Sequence, residues 1–400
     1  MNDQGWAPGR QASRGQRQGP RRGVLIMTLA LLTPAAALAQ LRVSLHADSR
    51  FEQDSNVYYS ANSNGGGDAF IEYGGGLLTS YQLGRETLSL DIQGRQYRYD
   101  HLSNLDHEDY RVTGALGWKF LSFLDGSAAI TRSKEQVSFQ NFVGNQLVQE
   151  TNQNEHFTLN LQTSPNWRIE TGFTTGRNDS PRPGLADLSE VEDSEQAAFK
   201  YTIKEGLAAG ISGSYTTGTF EGTGGAALGY HQSSAALVLS QSGPISSLAA
   251  NIGYTRRASA SGLDDTSGTT GSLSYQRKLS GRTSINVQLS RGISSYITNT
   301  GAVLNTTAST QITYIATRKI SLGAAYTYTI DDLPKQGIDG VDRTDHSHAE
   351  ELHASYAVNR SLDIQAYARR EERASDLAGA QYSSYSFGIF ANLRFQALGR

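Results

Sequence analysis

The chain has 400 residues, 38% of them hydrophobic, with 42 glycines, 20 tyrosines, 13 phenylalanines and only 8 prolines. Its net charge of -3 offers nothing to nucleic acid or to an anionic membrane surface. The lack of cysteine excludes a disulfide scaffold, a thiol nucleophile and thiolate metal sites.

Residues 1–39 read as a signal peptide. Arg10, Arg14, Arg17, Arg21 and Arg22 lead into the apolar run Val24 to Leu32, and Ala37-Leu38-Ala39 is a small-x-small cleavage site before Gln40. The stretch from Val24 to Ala39 falls short of the ~20 apolar residues of a spanning helix and contains Pro34. Export by the general secretory route is expected, because the twin-arginine route hinted at by Arg21-Arg22 carries folded cargo. No later stretch approaches a membrane helix, so a membrane-resident chain would have to be a closed barrel.

Residues 40–400 read as one domain of alternating strands. Leu41, Val43, Leu45 and Ala47 open it, and a Gly-rich loop from Gln53 to Asp68 follows. Ile71, Tyr73, Leu77, Thr79 and Tyr81 run to a tight turn at Gly84-Arg85. Leu88, Leu90 and Ile92 leave that turn, a charged loop spans Asp100 to Glu108, and Tyr110, Val112, Leu116, Trp118 and Phe120 return. The unit recurs with short turns near residues 84, 123, 165, 205, 243, 281, 318 and 359, spaced by about 37 to 42 residues. The last strand, Tyr385 to Phe395, is apolar at every second position: Tyr385, Phe387, Ile389, Ala391, Leu393 and Phe395. Short turns alternating with longer loops give an all-β, up-and-down antiparallel transmembrane barrel of about 18 strands. Its short turns would be periplasmic and its longer loops extracellular. Closure requires the last strand to pair with Leu41 to Ala47.

The intervening positions are polar. Arg95, Arg111, Arg168, Lys200, Asn251, Gln288, Gln311, Asp363 and Arg394 are the candidates for a wet inner wall. So many ions could not be buried unpaired in the core of a soluble sandwich, and about 18 strands leave room for an aqueous channel. Taken singly, each of these charges also reads as plain solvation or a cross-strand pair. Tyr81, Tyr97, Tyr99, Trp118, Trp167, Tyr201, Tyr215, Tyr254 and Tyr356 are expected on the outer face, as aromatic girdles at the headgroup level.

Chemistry is sparse. Asp331-Asp332, Asp339, Asp342, Asp345, His346 and His348 fall in the longest late loop, where carboxylates and imidazoles could activate water or hold a divalent cation. A solvated acidic loop is the preferred reading of them, as it is of the loop from Asp187 to Glu195 with Glu190, Glu192 and Asp193. No Walker, Rossmann or G-x-S-x-G pattern stands in a useful context. The expectation is therefore a protein that is not an enzyme, with no catalytic residue, no metal site and no cofactor.

Asp54-Ser55-Asn56-Val57-Tyr58, Tyr97-x-Tyr99, Leu105-Asp106, Tyr110, Trp118, Asn152 and Pro165-Asn166-Trp167-Arg168-Ile169 resemble the outer-membrane barrels encoded in exopolysaccharide biosynthesis operons, the EpsL-type family. The resemblance is best over the first 130 or so residues after Gln40. It implies a porin-like outer-membrane protein serving polysaccharide export, with polysaccharide and other secretion components as partners beside outer-membrane lipid. Ser386, Gly388, Ala391, Leu393 and Phe395 look like the signal read by the barrel-assembly machinery. The alternative is a general diffusion porin for small solutes; a barrel-rim hydrolase and an adhesive structural barrel stand behind it.

Overall fold

The computed structural model describes residues 40–61, 66–141, 145–180, 188–222, 228–259, 265–295, 302–333 and 343–397. The expected signal segment, residues 1–39, lies outside them. Alternation of apolar and polar residues drives each segment into a strand, because period two is the only one that puts all its apolar side chains on one face. In chain order the strands are β1 (Gln40–Asp54), β2 (Asp68–Leu83), β3 (Glu86–Tyr99), β4 (His107–Leu121), β5 (Leu124–Gln136) and β6 (Gln149–Gln162). There follow β7 (Trp167–Ser180), β8 (Leu188–Lys204), β9 (Leu207–Gly222), β10 (Leu228–Ser242), β11 (Ser246–Ser259) and β12 (Thr266–Lys278). The last six are β13 (Thr283–Ser295), β14 (Ala302–Ile315), β15 (Ile320–Leu333), β16 (Arg343–Ala357), β17 (Leu362–Ser375) and β18 (Tyr382–Ala397).

Each strand pairs antiparallel with its neighbours in sequence, in one 18-stranded sheet. The sheet closes: β1 pairs with β18 from Val43 opposite Ala397 to Asp54 opposite Ser386, and with β2 on its other side. Closure removes the edges, so the backbone is satisfied within the wall and can sit in lipid. The eight short turns fall at the places expected. Two of them need glycine: Gly84 has φ 61° and Gly206 φ 74°. A Cβ on Gly206 would stand 2.3 Å from the Ser242 carbonyl oxygen.

Some strands run further than expected. β1 reaches Asp54, although a loop was expected from Gln53. Asp331, Asp332, Asp345, His346 and His348 lie in β15 and β16, and Glu190, Glu192 and Asp193 in β8, rather than in loops. Their polarity had suggested loops, but backbone pairing in a barrel continues wherever both partners keep their register.

The two faces differ in kind. On one, Ile211, Leu237 and Ile252 stand side by side across β9, β10 and β11. Leu237, Ile252 and Leu352 are 64%, 62% and 65% exposed. A belt of this extent exceeds what soluble monomers leave in water, so lipid is its solvent. Near the short turns it is edged by aromatics: Trp167 stacks on Phe199 at 4.4 Å, and Trp118 lies 5.4 Å from Phe157. Tyr81, Tyr201, Tyr215, Tyr254 and Tyr356 share this outer face by register.

Tyr97 and Tyr99 do not, which corrects the expectation. They are two and four residues beyond Arg95 and therefore share its face, opposite Glu72 and Phe70. Tyr97 stacks on His107 at 4.4 Å, on the inner side.

Candidate functional site

The inner face is built from ladders of opposed polar residues. Asp48, Arg50 and Glu52 occupy alternate positions of β1, with Glu72 of β2 opposite Arg50. Arg50 Nη2 lies 2.6 Å from Glu72 Oε2 and its Nη1 3.3 Å from Glu52 Oε2. Arg95 of β3 approaches Glu72 Oε1 at 3.2 Å and Asp48 Oδ2 at 3.6 Å. Across the closure, the Tyr367 hydroxyl donates to Glu52, and Arg369 pairs with Glu371. Of these groups all but Asp48 and Glu371 border, with Glu351, Gln365, Ser386 and Phe390, a cavity of about 320 Å³ on the wall. A second, of about 570 Å³, lies toward the short turns, where Asp363, Phe390 and Arg394 meet Lys319. Every cation of the first cavity touches a carboxylate, so the wall holds its charges as pairs and each ion keeps its partner when water is sparse.

All nine residues singled out in the sequence share this face by register. Arg95 and Arg111 face β2 and β3, and Arg111 Nη2 is 3.6 Å from Glu135. Arg168 and Lys200 are direct partners, both bound to Glu170, at 3.3 Å and 2.6 Å. Asn251 Nδ2 donates to Ser272 Oγ at 2.6 Å. Gln288 stands opposite Ser309, and Gln311 opposite Asn286. Asp363 stands opposite Asn392, whose Oδ1 accepts from Arg394 Nε at 2.7 Å. The structure does not gather the nine into one cluster. Sequence reasoning missed Arg50, Glu52, Glu72, Tyr367, Arg369 and Phe390. Extending the alternation of β1 beyond Ala47 would have found the first two. Of the five residues resembling an assembly signal, Ser386 and Gly388 are on the inner face of β18, and Ala391, Leu393 and Phe395 on the outer.

The mouth, at the end of the longer loops, is organised by the Asp54–Tyr58 motif. Asn56 is fully buried. Its Nδ2 donates to the carbonyls of Ser60 (2.9 Å) and Ser383 (3.1 Å), and its Oδ1 accepts from the Ser60 amide at 3.1 Å. These bonds fold the loop onto the end of β18. They hold Tyr59 at φ 48°, a left-handed conformation that costs a non-glycine residue about 1–2 kcal/mol. Tyr59 meets Tyr382 edge-on at 4.8 Å, and burial pushes its phenol above the usual tyrosine range. Val57, Leu105 and Phe139, from three different loops, form a small core there. The third loop is tied from β5 to β17: Gln140 Nε2 donates to Glu371 Oε2 (2.9 Å) and its carbonyl accepts from Arg373 Nη1 (2.6 Å).

Asp68, Asp100 and His101 bring possible metal-ligand atoms within 4.8 Å of one another. The Asp68 carboxylate is already taken, accepting from the amides of Ala69, His101 and Leu102 at 2.9, 3.0 and 2.8 Å. It caps the turn after β3, and its bond to the ring holds the His101 imidazole above the usual histidine range. The hydrolytic arrangement of Asp331 and His346 is not assembled. Asp331 faces inward opposite Asp345, bound by Asn305 Nδ2 at 2.6 Å. His346, one residue out of phase, lies on the outer face against the Tyr328 hydroxyl at 2.8 Å. Asp187, Asp339 and Asp342 lie outside the described residues.

Residues 241–397 match the family model described as "Putative beta-barrel porin 2". The residues that resemble the exopolysaccharide barrels all precede that match. No curated protein matches the chain. Among solved structures, OccK2 (OpdF) of Pseudomonas aeruginosa is similar at 14% identity, over 90% of this chain and 98% of that one, with a TM-score of 0.50. The outer membrane protein opdK of Pseudomonas aeruginosa is 11% identical over 89% of this chain and 99% of that one, with a TM-score of 0.49. Identities this low speak to the fold alone: a closed wall of 18 antiparallel strands, apolar outside and polar within, which is the architecture of a porin-like β-barrel of the outer membrane.

Proposed function

We propose that the barrel is a porin for small hydrophilic solutes, with Arg95, Arg111, Arg168, Lys200, Asn251, Gln288, Gln311, Asp363 and Arg394 lining the path. The observation that carries this reading is a closed, hydrogen-bonded wall whose inner face is polar while its outer face is apolar. Water is favourable inside such a wall, and solutes that hydrogen-bond can replace it. The alternative of exopolysaccharide export is less well supported. Gln140, tied to Glu371 and Arg373, joins the loop after β5 to β17 over one sector of the mouth, which suits small solutes better than a polymer, and the family likeness is to porins. Residues 1–39 serve in this reading as the signal peptide for the general secretory route. Ser386, Gly388, Ala391, Leu393 and Phe395 serve as the signal for the barrel-assembly machinery.

Purified protein in planar bilayers is expected to give discrete conductance steps, and its vesicles to swell in small sugars. A barrel shown to be folded by its heat-modifiable migration, yet silent in both assays, would refute the porin reading. Loss of polymer secretion with unaltered solute uptake, on deleting the gene, would restore the export reading.

A further inference from the structure

The wall does not stay continuous to its upper rim. β11 and β12 remain paired up to Arg257 opposite Thr266. Pairing of β12 with β13 stops at Gly271 opposite Arg291, although β12 begins at Thr266 and β13 runs on to Ser295. Above that level β13 keeps β14 as its partner, from Gly292 opposite Asn305 to Ser295 opposite Ala302. The end of the β13–β14 hairpin has therefore parted from β12.

Its side chains show where it goes. By alternation Ile293 and Ser295 continue the lipid-facing row of Ile285, Val287 and Leu289. Yet Ile293 is buried, and so are Ala302 and Val303, which alternate on β14. Ser295 Oγ donates to Glu190 Oε1 on β8 at 2.7 Å and accepts from Arg257 Nη2 on β11 at 3.1 Å. Both partners belong to the inner wall. They are held in turn by Tyr230 of β10, whose ring carries the Arg257 guanidinium at 3.4 Å and whose hydroxyl donates to Glu190 at 2.9 Å. Glu190 and Ser295 sit on strands five apart in the wall. Such strands can touch only if one of them crosses the lumen.

We propose that the inturned part of the β13–β14 hairpin, residues 292–295 and 302–305, is the constriction that sets the size limit of the pore, with Ser295, Glu190, Arg257 and Tyr230 as its anchor. The bridge closes off the arc of β9 to β12 and leaves solutes the side bordered by β14 to β18 and β1 to β7. The inference rests on the porin reading, and the experiment separates the two. Replacing residues 293–304 by Asn-Gly would end the hairpin in a two-residue turn just above the last β12–β13 pair. Single-channel conductance of the shortened full barrel should rise by about twofold or more, since it follows the open cross-section, and larger sugars should enter vesicles. Should the folded parent be silent and the shortened barrel conduct, the bridge is a plug rather than a constriction, and both the porin reading and this inference fall. A heat-modifiable shortened barrel with the parent's conductance and size limit would overturn it. If neither folded barrel conducts, the porin reading falls, and this inference with it. Ser295→Ala, which removes only the two anchoring bonds, keeps the question open to refutation if the shortened barrel does not fold. It should flicker to the wider level, and a single level identical to the parent's would count against the constriction.

Discussion

Asn56→Ala should unlatch the loop after β1 without opening the barrel. The side chain is fully buried and serves three backbone groups: the Ser60 amide and the carbonyls of Ser60 and Ser383. Alanine leaves these without their partner. Net hydrogen bonds are each worth about 1 kcal/mol, and an orphaned buried group costs about 1–3 kcal/mol. Some of the freed groups will find water at the rim, so a loss of about 2–4 kcal/mol in local stability is expected. The bond from the Val57 amide to the Gly66 carbonyl (2.7 Å) and that from the Tyr59 amide to the Asn56 carbonyl (3.0 Å) are untouched by the substitution. Their hydrogen exchange therefore reports opening of the loop, and at tenfold per 1.4 kcal/mol it should accelerate by roughly 30- to 700-fold. Amides in the middle of β10 and β11 should exchange as before. Unchanged exchange at Val57 and Tyr59 would show that the loop is held by its aromatic contacts rather than by Asn56.

Three other outcomes follow from the same geometry. Leu237→Arg, in the lipid-facing row, should cost about 2–4 kcal/mol in reversible unfolding from vesicles. Asn251→Arg, on the inner face of the next strand, should cost less than about 1 kcal/mol, and the reverse order would mean that the faces are exchanged. Gly206→Ala should destabilise by about 1–3 kcal/mol because of its positive φ and the nearby Ser242 carbonyl. Gly268→Ala, where a Cβ meets nothing within 4 Å, is the control. The His101 imidazole should titrate above its usual range, because its contact with Asp68 favours the protonated ring. That contribution is complete at pH below the ordinary histidine pKa and disappears as pH rises through the raised one. Exchange of the Leu102 amide should quicken over the same interval, and Asp68→Asn should lower the titration toward the ordinary range, leaving only the contribution of Asp100.

The wall was legible because barrels are built from nearest neighbours. Alternation sets the face, a short turn sets the next register, and neither needs information from far along the chain. The errors came where another cue outweighed alternation. Tyr97 and Tyr99 looked like girdle residues because they are aromatic and near a strand end, but Arg95 is two residues away and fixes their side. Arg50 and Glu52 lie beyond the apolar row of Leu41 to Ala47 and so escaped the reading of that strand, yet charge at every second position is what an inner wall requires. The mouth was illegible for a different reason. Asn56 finds its partner at Ser383 and Gln140 finds Glu371, and no local pattern encodes pairs so distant. The end of β13 kept its alternation through Ser295, so the sequence carried no mark of its departure from β12.

These differences bear on where solutes are discriminated. At mid-height Arg50 is bracketed by Glu52 and Glu72 and Arg95 by Asp48 and Glu72, and nearer the short turns Lys200 is paired with Glu170. Charges paired so closely largely cancel beyond a few ångströms and leave little net field in a wide, wet lumen. Such a wall stays hydrated and selects weakly. At the rim, by contrast, loops and the β13–β14 hairpin bring strands together that the wall keeps apart, and in the proposed porin this is where the opening narrows. Discrimination by size in the proposed porin then belongs to the mouth, and substitutions of the mid-height pairs should alter its permeability less than changes at Ser295 or Gln140.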